Sequence, residues 1–102
     1  MNIVFGAGVV GKIITKHLLD NNINVDYICD NNIEKNGEVI FGVNVIHTSK
    51  AGIFSSSDTF YIAVADIEDI VKQLHVLGFD DWISSSEVLN NADIDYESVV
   101  ES

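Results

Sequence analysis

The 102-residue sequence predicts an α/β fold of the Rossmann type, a doubly wound parallel sheet of about five strands in the order 3-2-1-4-5. Three observations carry that prediction. An apolar strand, Ile3-Val4-Phe5, runs straight into Gly6-Ala7-Gly8-Val9-Val10-Gly11, a G-x-G-x-x-G loop. Apolar residues then recur at helical spacing, and a second strand closes on an acid, Asp30, about twenty positions beyond the loop. Further strand and helix patterns alternate after it, and right-handed crossovers turn that alternation into a parallel sheet with helices on both faces.

Each element has its own warrant. Ile13, Ile14, His17, Leu18 and Leu19 form an apolar stripe with Lys12, Lys16 and Asp20 opposite, and Asn21-Asn22 ends this first helix. Val25–Cys29 reads as the second strand. Asn31–Glu38 is a polar, turn-rich connection. Val39–Phe41 and Val43–Ile46 flank Gly42 as two short extended pieces, the second being the third sheet strand. Thr48–Phe54 makes a weak helical turn, since Gly52 argues against a long helix. Thr59–Ala65 is a buried strand, with Phe60, Tyr61, Ile62 and Val64 in an almost unbroken apolar run. Asp66 is placed as an N-cap, followed by a helix with Ile67, Ile70, Val71, Leu74 and Leu77 on one face and Gly78 as its stop. Asp80–Ile83 gives a last short strand, with Trp82 expected in the core at the sheet edge, and Ser84–Glu87 starts a final helix. Residues 1–89 make one domain, and 90–102 an acidic tail or linker.

The glycine loop is where chemistry enters. Gly6 would allow the tight turn out of the strand, Gly8 would let the backbone approach a pyrophosphate, and Gly11 would let the helix pack hard against the sheet. Amides at the helix start, with the positive end of its dipole, suit phosphate. Asp30 is the expected partner of a ribose 2′-hydroxyl, with Asn31 beside it. The strand order puts a switch point between strands 1 and 4, where the loop residues Gly6, Ala7, Gly8, Val9, Val10 and Gly11 would meet the strand end Val64-Ala65. With no arginine in the chain and an acid at position 30, NAD is favoured over NADP.

Composition sets limits. The net charge is −11, and it is lopsided: residues 58–102 hold a single lysine, Lys72, against eleven acids. Such a surface predicts repulsion of nucleic acid and anionic lipid. No apolar run is long enough for a membrane span. Cys29 as the sole cysteine fits a reducing cytoplasm, and it reads as core filler. His17, His47 and His75 lack metal-ligand spacing, and no catalytic constellation emerges.

The stretches I-V-F-G-A-G-V-V-G-K, V-D-Y-I-C-D-N-N-I-E-K-N-G, F-G-V-N-V-I-H, F-Y-I-A-V-A-D and Q-L-H-V-L-G-F-D-D-W-I together resemble a small Rossmann-like domain across about residues 2–84. That domain occurs attached to bacterial polysaccharide-biosynthesis enzymes: nucleotide-sugar epimerases and dehydratases, sugar methyltransferases and acyltransferases. Asn44 stands where such domains often have proline. A related acyltransferase type carries a histidine in the glycine loop, and Val10 stands in the corresponding stretch here, which argues against that catalysis. The resemblance implies nucleotide contacts at the glycine loop and Asp30, and a tail that links to or contacts a catalytic partner.

The expected function is thus an NAD(H)-type binding module accessory to sugar chemistry, without catalysis of its own. One alternative is a module for a UDP-type nucleotide sugar, held by the same residues. Another is a Rossmann scaffold that binds no nucleotide and docks a catalytic partner. The expected partners are a nucleotide and a catalytic domain or protein, with a homo-oligomer compatible and nucleic acid and membrane excluded.

Overall fold

The computed structural model describes residues 1–90. Six strands form one sheet: β1 (Asn2–Phe5), β2 (Tyr27–Asp30), β3 (Val39–Ile40), β4 (Val43–His47), β5 (Thr59–Ile62) and β6 (Trp82–Ser84). Their order is β3-β4-β2-β1-β5-β6, with every pairing parallel except β3 against β4. The five parallel strands therefore follow the predicted order, and the sixth is an edge addition. The proposed tail, 90–102, falls outside the described residues except for Asn90.

The extra strand comes from a two-residue hairpin. Phe41 (φ 50°) and Gly42 (φ 80°) both adopt left-handed backbone between the paired residues Ile40 and Val43. A two-residue loop needs positive φ at both positions if it is to match the strand twist. Phe at the first of them is far from the usual Asn or Gly, so the sequence does not advertise the turn.

Alternation along the strands divides the core into two layers. Ile3, Phe5, Cys29, Phe60 and Ile62 face one side, where they pack with Phe54, Ile70, Leu74 and Phe79. The Phe60 and Phe79 rings stack at 5.0 Å, and Phe54 meets Phe60 edge-on at 5.7 Å. Val4, Ile28 and Val45 face the other side, against Ile14 and Leu18 of helix α1 (Val9–Asp20), with Val88 and Leu89 of α3 (Ser85–Asn90) at the margin. Helix α2 (Ile67–Val76) and a 3₁₀ turn over Thr48–Ile53 cover the first layer. Helices on both faces are what a parallel sheet requires, since neither face can be left to water.

Both long helices end in the same way. The amide of Ile23 bonds Leu18 O at 2.9 Å past a left-handed Asn22, and the amide of Phe79 bonds Leu74 O at 2.8 Å past a left-handed Gly78. This six-to-one bond satisfies carbonyls the helix would otherwise leave open, and Phe79 continues into the core.

Three expectations need correction. Trp82 is 39% exposed and not core, because β6 is an edge strand and Trp82 starts it. Strand β5 stops at Ile62, so Val64 and Ala65 lie in the turn beyond it. Asp66 holds the N-cap position of α2, but its side chain caps nothing. It lies instead against Asp69, which holds its carboxyl above the usual range through a shared hydrogen bond and mutual charge.

Candidate functional site

Parallel register brings the ends of three strands level. Phe5 pairs with Cys29 on one side and Ile62 on the other, so Gly6, Asp30 and Ala63 each follow at the same height. Gly6 N–H donates to Cys29 O and Ala63 N–H to Phe5 O, both at 2.8 Å. The chain from β1 crosses through α1 toward β2, while β5 lies on the opposite side of β1, and the two connections diverge at this point. Such a divergence opens a crevice beyond the carboxyl ends of the strands.

The three loop glycines have three different environments. Gly6 has φ +122°, and a Cβ there would lie 2.7 Å from Ala63 O and 3.0 Å from Val64 Cγ1. Gly11 is buried, and its Cβ would lie 1.8 Å from Gly6 O, so the first turn of α1 rests on the backbone of the strand end. The close approach at Gly11 is thus made to the turn, one step beyond the sheet. Gly8 differs from both. Its backbone (φ −84°, ψ −160°) is ordinary extended geometry, and a Cβ would meet nothing within 4 Å.

Gly8 is the N-cap of α1, and no side chain caps the helix. Lys12 N–H is the first amide to bond back, to Gly8 O at 3.0 Å, which leaves the exposed amides of Gly8, Val9 and Val10 without partners among the described residues. Helices always begin with such free donors.

Asp30 is tied into the same loop. Its Oδ2 accepts Ala7 N–H at 2.8 Å and its Oδ1 accepts Asn32 N–H at 2.7 Å. The carboxylate is therefore held beside the glycine turn, with lone pairs to spare on both oxygens. Ala7 N–H is consequently committed to Asp30. Val64 Cγ1 lies 3.0 Å from where a Cβ on Gly6 would stand, while Ala65 is exposed one residue further on.

Asn31 has a different setting from the rest. Its side chain pairs with Gln73 of α2 in both directions, Nδ2 to Oε1 at 2.9 Å and Gln73 Nε2 to Oδ1 at 2.8 Å. The Thr48 hydroxyl also meets Asn31 Oδ1, and it lies 3.1 Å from Asp30 O. His47 Nδ1 accepts Ser49 N–H at 3.2 Å, so Nε2 carries the proton and donates to Asn31 O at 3.1 Å. These residues, with Val76 and Leu77, line a cavity of about 470 Å³. Sequence reasoning placed Asn31 but missed Gln73, Thr48 and His47. Gln73 lies 42 positions away in sequence and belongs to no motif.

Cys29 is buried, and burial pushes its thiol up to about 11, so it is a poor nucleophile. Among the described residues no cluster of three or more His, Cys, Asp or Glu could hold a metal ion, and no helix is long and apolar enough to cross a membrane.

Comparison with known proteins bears on this arrangement. The fold is shared with RSP, a Rex-family repressor. The two structures superpose with a TM-score of 0.65 at 20% identity, covering 81% of this chain and 43% of the repressor. At that identity the likeness is one of fold, and this chain spans less than half of the repressor's length. No protein-family model and no curated protein matches the sequence. The comparison corrects the exclusion of nucleic-acid partners drawn from the charge of −11. A protein that shares this fold is a repressor, so the exclusion of a nucleic-acid partner does not stand. The implied link to polysaccharide enzymes has no counterpart in these comparisons.

Proposed function

We propose that this chain is a nucleotide-binding module of the NAD(H) type. In this reading the Gly6–Gly11 loop receives the pyrophosphate on the free amides of Gly8, Val9 and Val10, and Asp30 accepts the hydroxyls of the adjoining ribose. The observation that carries the reading is Gly8. Packing accounts for Gly6 and Gly11, since each would collide with backbone if it bore a Cβ. Sterics do not require Gly8: its φ suits any residue and its Cβ position is empty, and although glycine is a good N-cap, Ser, Asn or Asp would serve that position better. Space kept clear over free helix amides is what an approaching phosphate needs.

Asp30 sets the choice of cofactor. A carboxylate fixed by two backbone amides beside the loop would accept from ribose hydroxyls and repel a 2′-phosphate. The chain has no arginine to pair with such a phosphate, so NAD(H) is favoured over NADP(H). The role in sugar chemistry implied by the family resemblance is carried by that resemblance alone.

Titration calorimetry with NAD, NADH, NADP and a UDP-sugar tests the proposal. NAD or NADH should bind, NADP should bind at least tenfold more weakly, and Gly8→Ala should weaken binding at least tenfold, about 1.4 kcal/mol. Binding of the UDP-sugar alone would move the same site to the nucleotide-sugar reading. No heat from any ligand at millimolar concentration, or an unchanged affinity in Gly8→Ala, would overturn it.

A further inference from the structure

We propose that strand β6 is the docking edge for an extended, basic segment of a partner protein, which adds to the sheet as a further strand. The proposal stands apart from the nucleotide reading, since β6 is the edge strand and the glycine loop follows β1. No strand lies beyond β6 among the described residues. Phe60 N–H donates to Asp81 O at 2.9 Å, and the register sets Phe60 against Trp82 and Tyr61 against Ile83. In a parallel pair, alternate residues turn their backbone groups to the same neighbour, so Asp81 and Ile83 serve β5. Trp82 N–H and C=O and Ser84 N–H therefore point away from the sheet, a template for another strand.

The side chains of this edge suit a contact surface. Trp82 shares a face of the sheet with its register partner Phe60, at the margin of the aromatic layer, and is exposed there. Ile83 points to the other face, where it borders a groove with Tyr61 and Val88. A strand laid along β6 would cover both. Sheet edges are blunted by lysine or proline, and β6 has neither. Its three residues make a short edge, so main-chain bonds alone would hold a partner weakly and side chains must add to them.

Charge selects the partner. Asp80 and Asp81 precede β6 and Glu87 follows it, and the chain has no lysine or arginine after Lys72. Asp80 is shared with His75 at 2.6 Å, and Asp81 accepts the Thr59 hydroxyl at 2.8 Å, so both carboxylates are held beside the strand. A second copy of the chain would bring the same acids to the same edge and be repelled. A segment with lysine or arginine alternating with apolar residues fits instead. Alternation would set its cations over the Trp82 ring and near the carboxylates, and its apolar groups beside Ile83. The opposite edge, β3, offers no such excess, because Lys35 there stands 3.9 Å from Glu38.

The test uses the full chain and a synthetic peptide of alternating lysine and valine, with two controls. One control is the same peptide methylated at every backbone amide, and the other has glutamate in place of lysine. Trp82, the sole tryptophan, reports binding by fluorescence, and hydrogen exchange followed by NMR reports the Trp82 and Ser84 amides. The lysine peptide should bind and slow exchange at those two amides, and each control should bind about tenfold more weakly or not at all. Equal binding of the methylated peptide would leave attraction by charge alone and overturn strand addition. Equal binding of the glutamate peptide would overturn the choice of a basic partner. If the two amides are already protected in the free chain, whether as a dimer or a monomer, the edge is taken and the proposal falls. It falls too if the lysine peptide fails to bind at millimolar concentration or protects other amides instead. Nucleotide titration of the same protein is a separate readout, so failure here leaves the nucleotide reading as it was.

Discussion

Gly8→Ala and Gly11→Ala place the same methyl group at two points of one loop, three residues apart, and the structure assigns them opposite consequences. At Gly11 the new Cβ would lie 1.8 Å from Gly6 O and 2.7 Å from Gly6 C, both backbone atoms. The first turn of α1 must retreat by well over an ångström, which loosens the packing of α1 on the strand end. Overpacking of this kind costs about 1–3 kcal/mol, and a rigid backbone neighbour puts the cost at the upper end. Alanine's better helix propensity returns up to about 1 kcal/mol, and less at the third helical position than in the interior. The net loss is about 2 kcal/mol, which lowers the melting temperature by roughly 8–16 °C in a domain of this size. At Gly8 the methyl meets nothing, so only the N-cap preference changes, by less than about 1 kcal/mol. Urea unfolding followed by far-ultraviolet circular dichroism and by the half-exposed Trp82 reads both variants. Nucleotide titration of Gly8→Ala then completes the contrast, with stability nearly kept and affinity lost. Equal urea midpoints for wild type and Gly11→Ala would refute the description of how helix and strand end meet.

Three further outcomes are expected. Thr15 is fully buried on α1, and its hydroxyl has no hydrogen-bond partner among the described residues, so Thr15→Val should raise stability by about 1 kcal/mol, read as a higher urea midpoint. Asp66 has a carboxyl pKa raised by Asp69, so the pair favours the protonated form. Its contribution is greatest below the ordinary aspartate range and declines as pH rises through the raised value. Asp66→Asn should therefore flatten the decline in thermal stability between acid and neutral pH. His75 Nδ1 lies 2.6 Å from Asp80 Oδ1, which raises the imidazole pKa above 6.5. The stabilisation is complete below the unfolded value and disappears as pH rises through the raised one. Proton NMR should show His75 titrating at its ordinary value in Asp80→Asn.

Much of this architecture is legible in the chain because its signals are local. Ile3 to Gly11 carries strand, turn and helix start within nine residues, and the acid that serves it closes the next strand. Asn22 and Gly78 mark helix ends because few other residues adopt left-handed backbone so readily. What escaped notice depends on groups distant in sequence or on turns with atypical residues. The β3 hairpin hides behind Phe41, which takes a positive φ that its residue type does not announce. Gln73 looks like one more polar helix residue until the fold brings it to Asn31. Trp82 resembles core by residue type, but only the position of β6 at the sheet edge reveals its exposure. Asp66 has the residue type of a cap, yet a neighbouring acid three positions on takes its side chain instead.

The two-layered core has a consequence for how this module can change. Val4 and its companions never meet Phe5 and its companions, because a single sheet stands between them. Substitutions in opposite layers share no partners, and the energetic effects of such substitutions usually sum within about 0.5 kcal/mol. The aromatic side under α2 could therefore be redesigned while the aliphatic side under α1 is left untouched, and the reverse. The row of strand ends at Gly6, Asp30 and Ala63 continues strands whose residues alternate between both layers. Drift in either layer shifts those strand ends, so they bound how far the interior can diverge before the crevice changes shape.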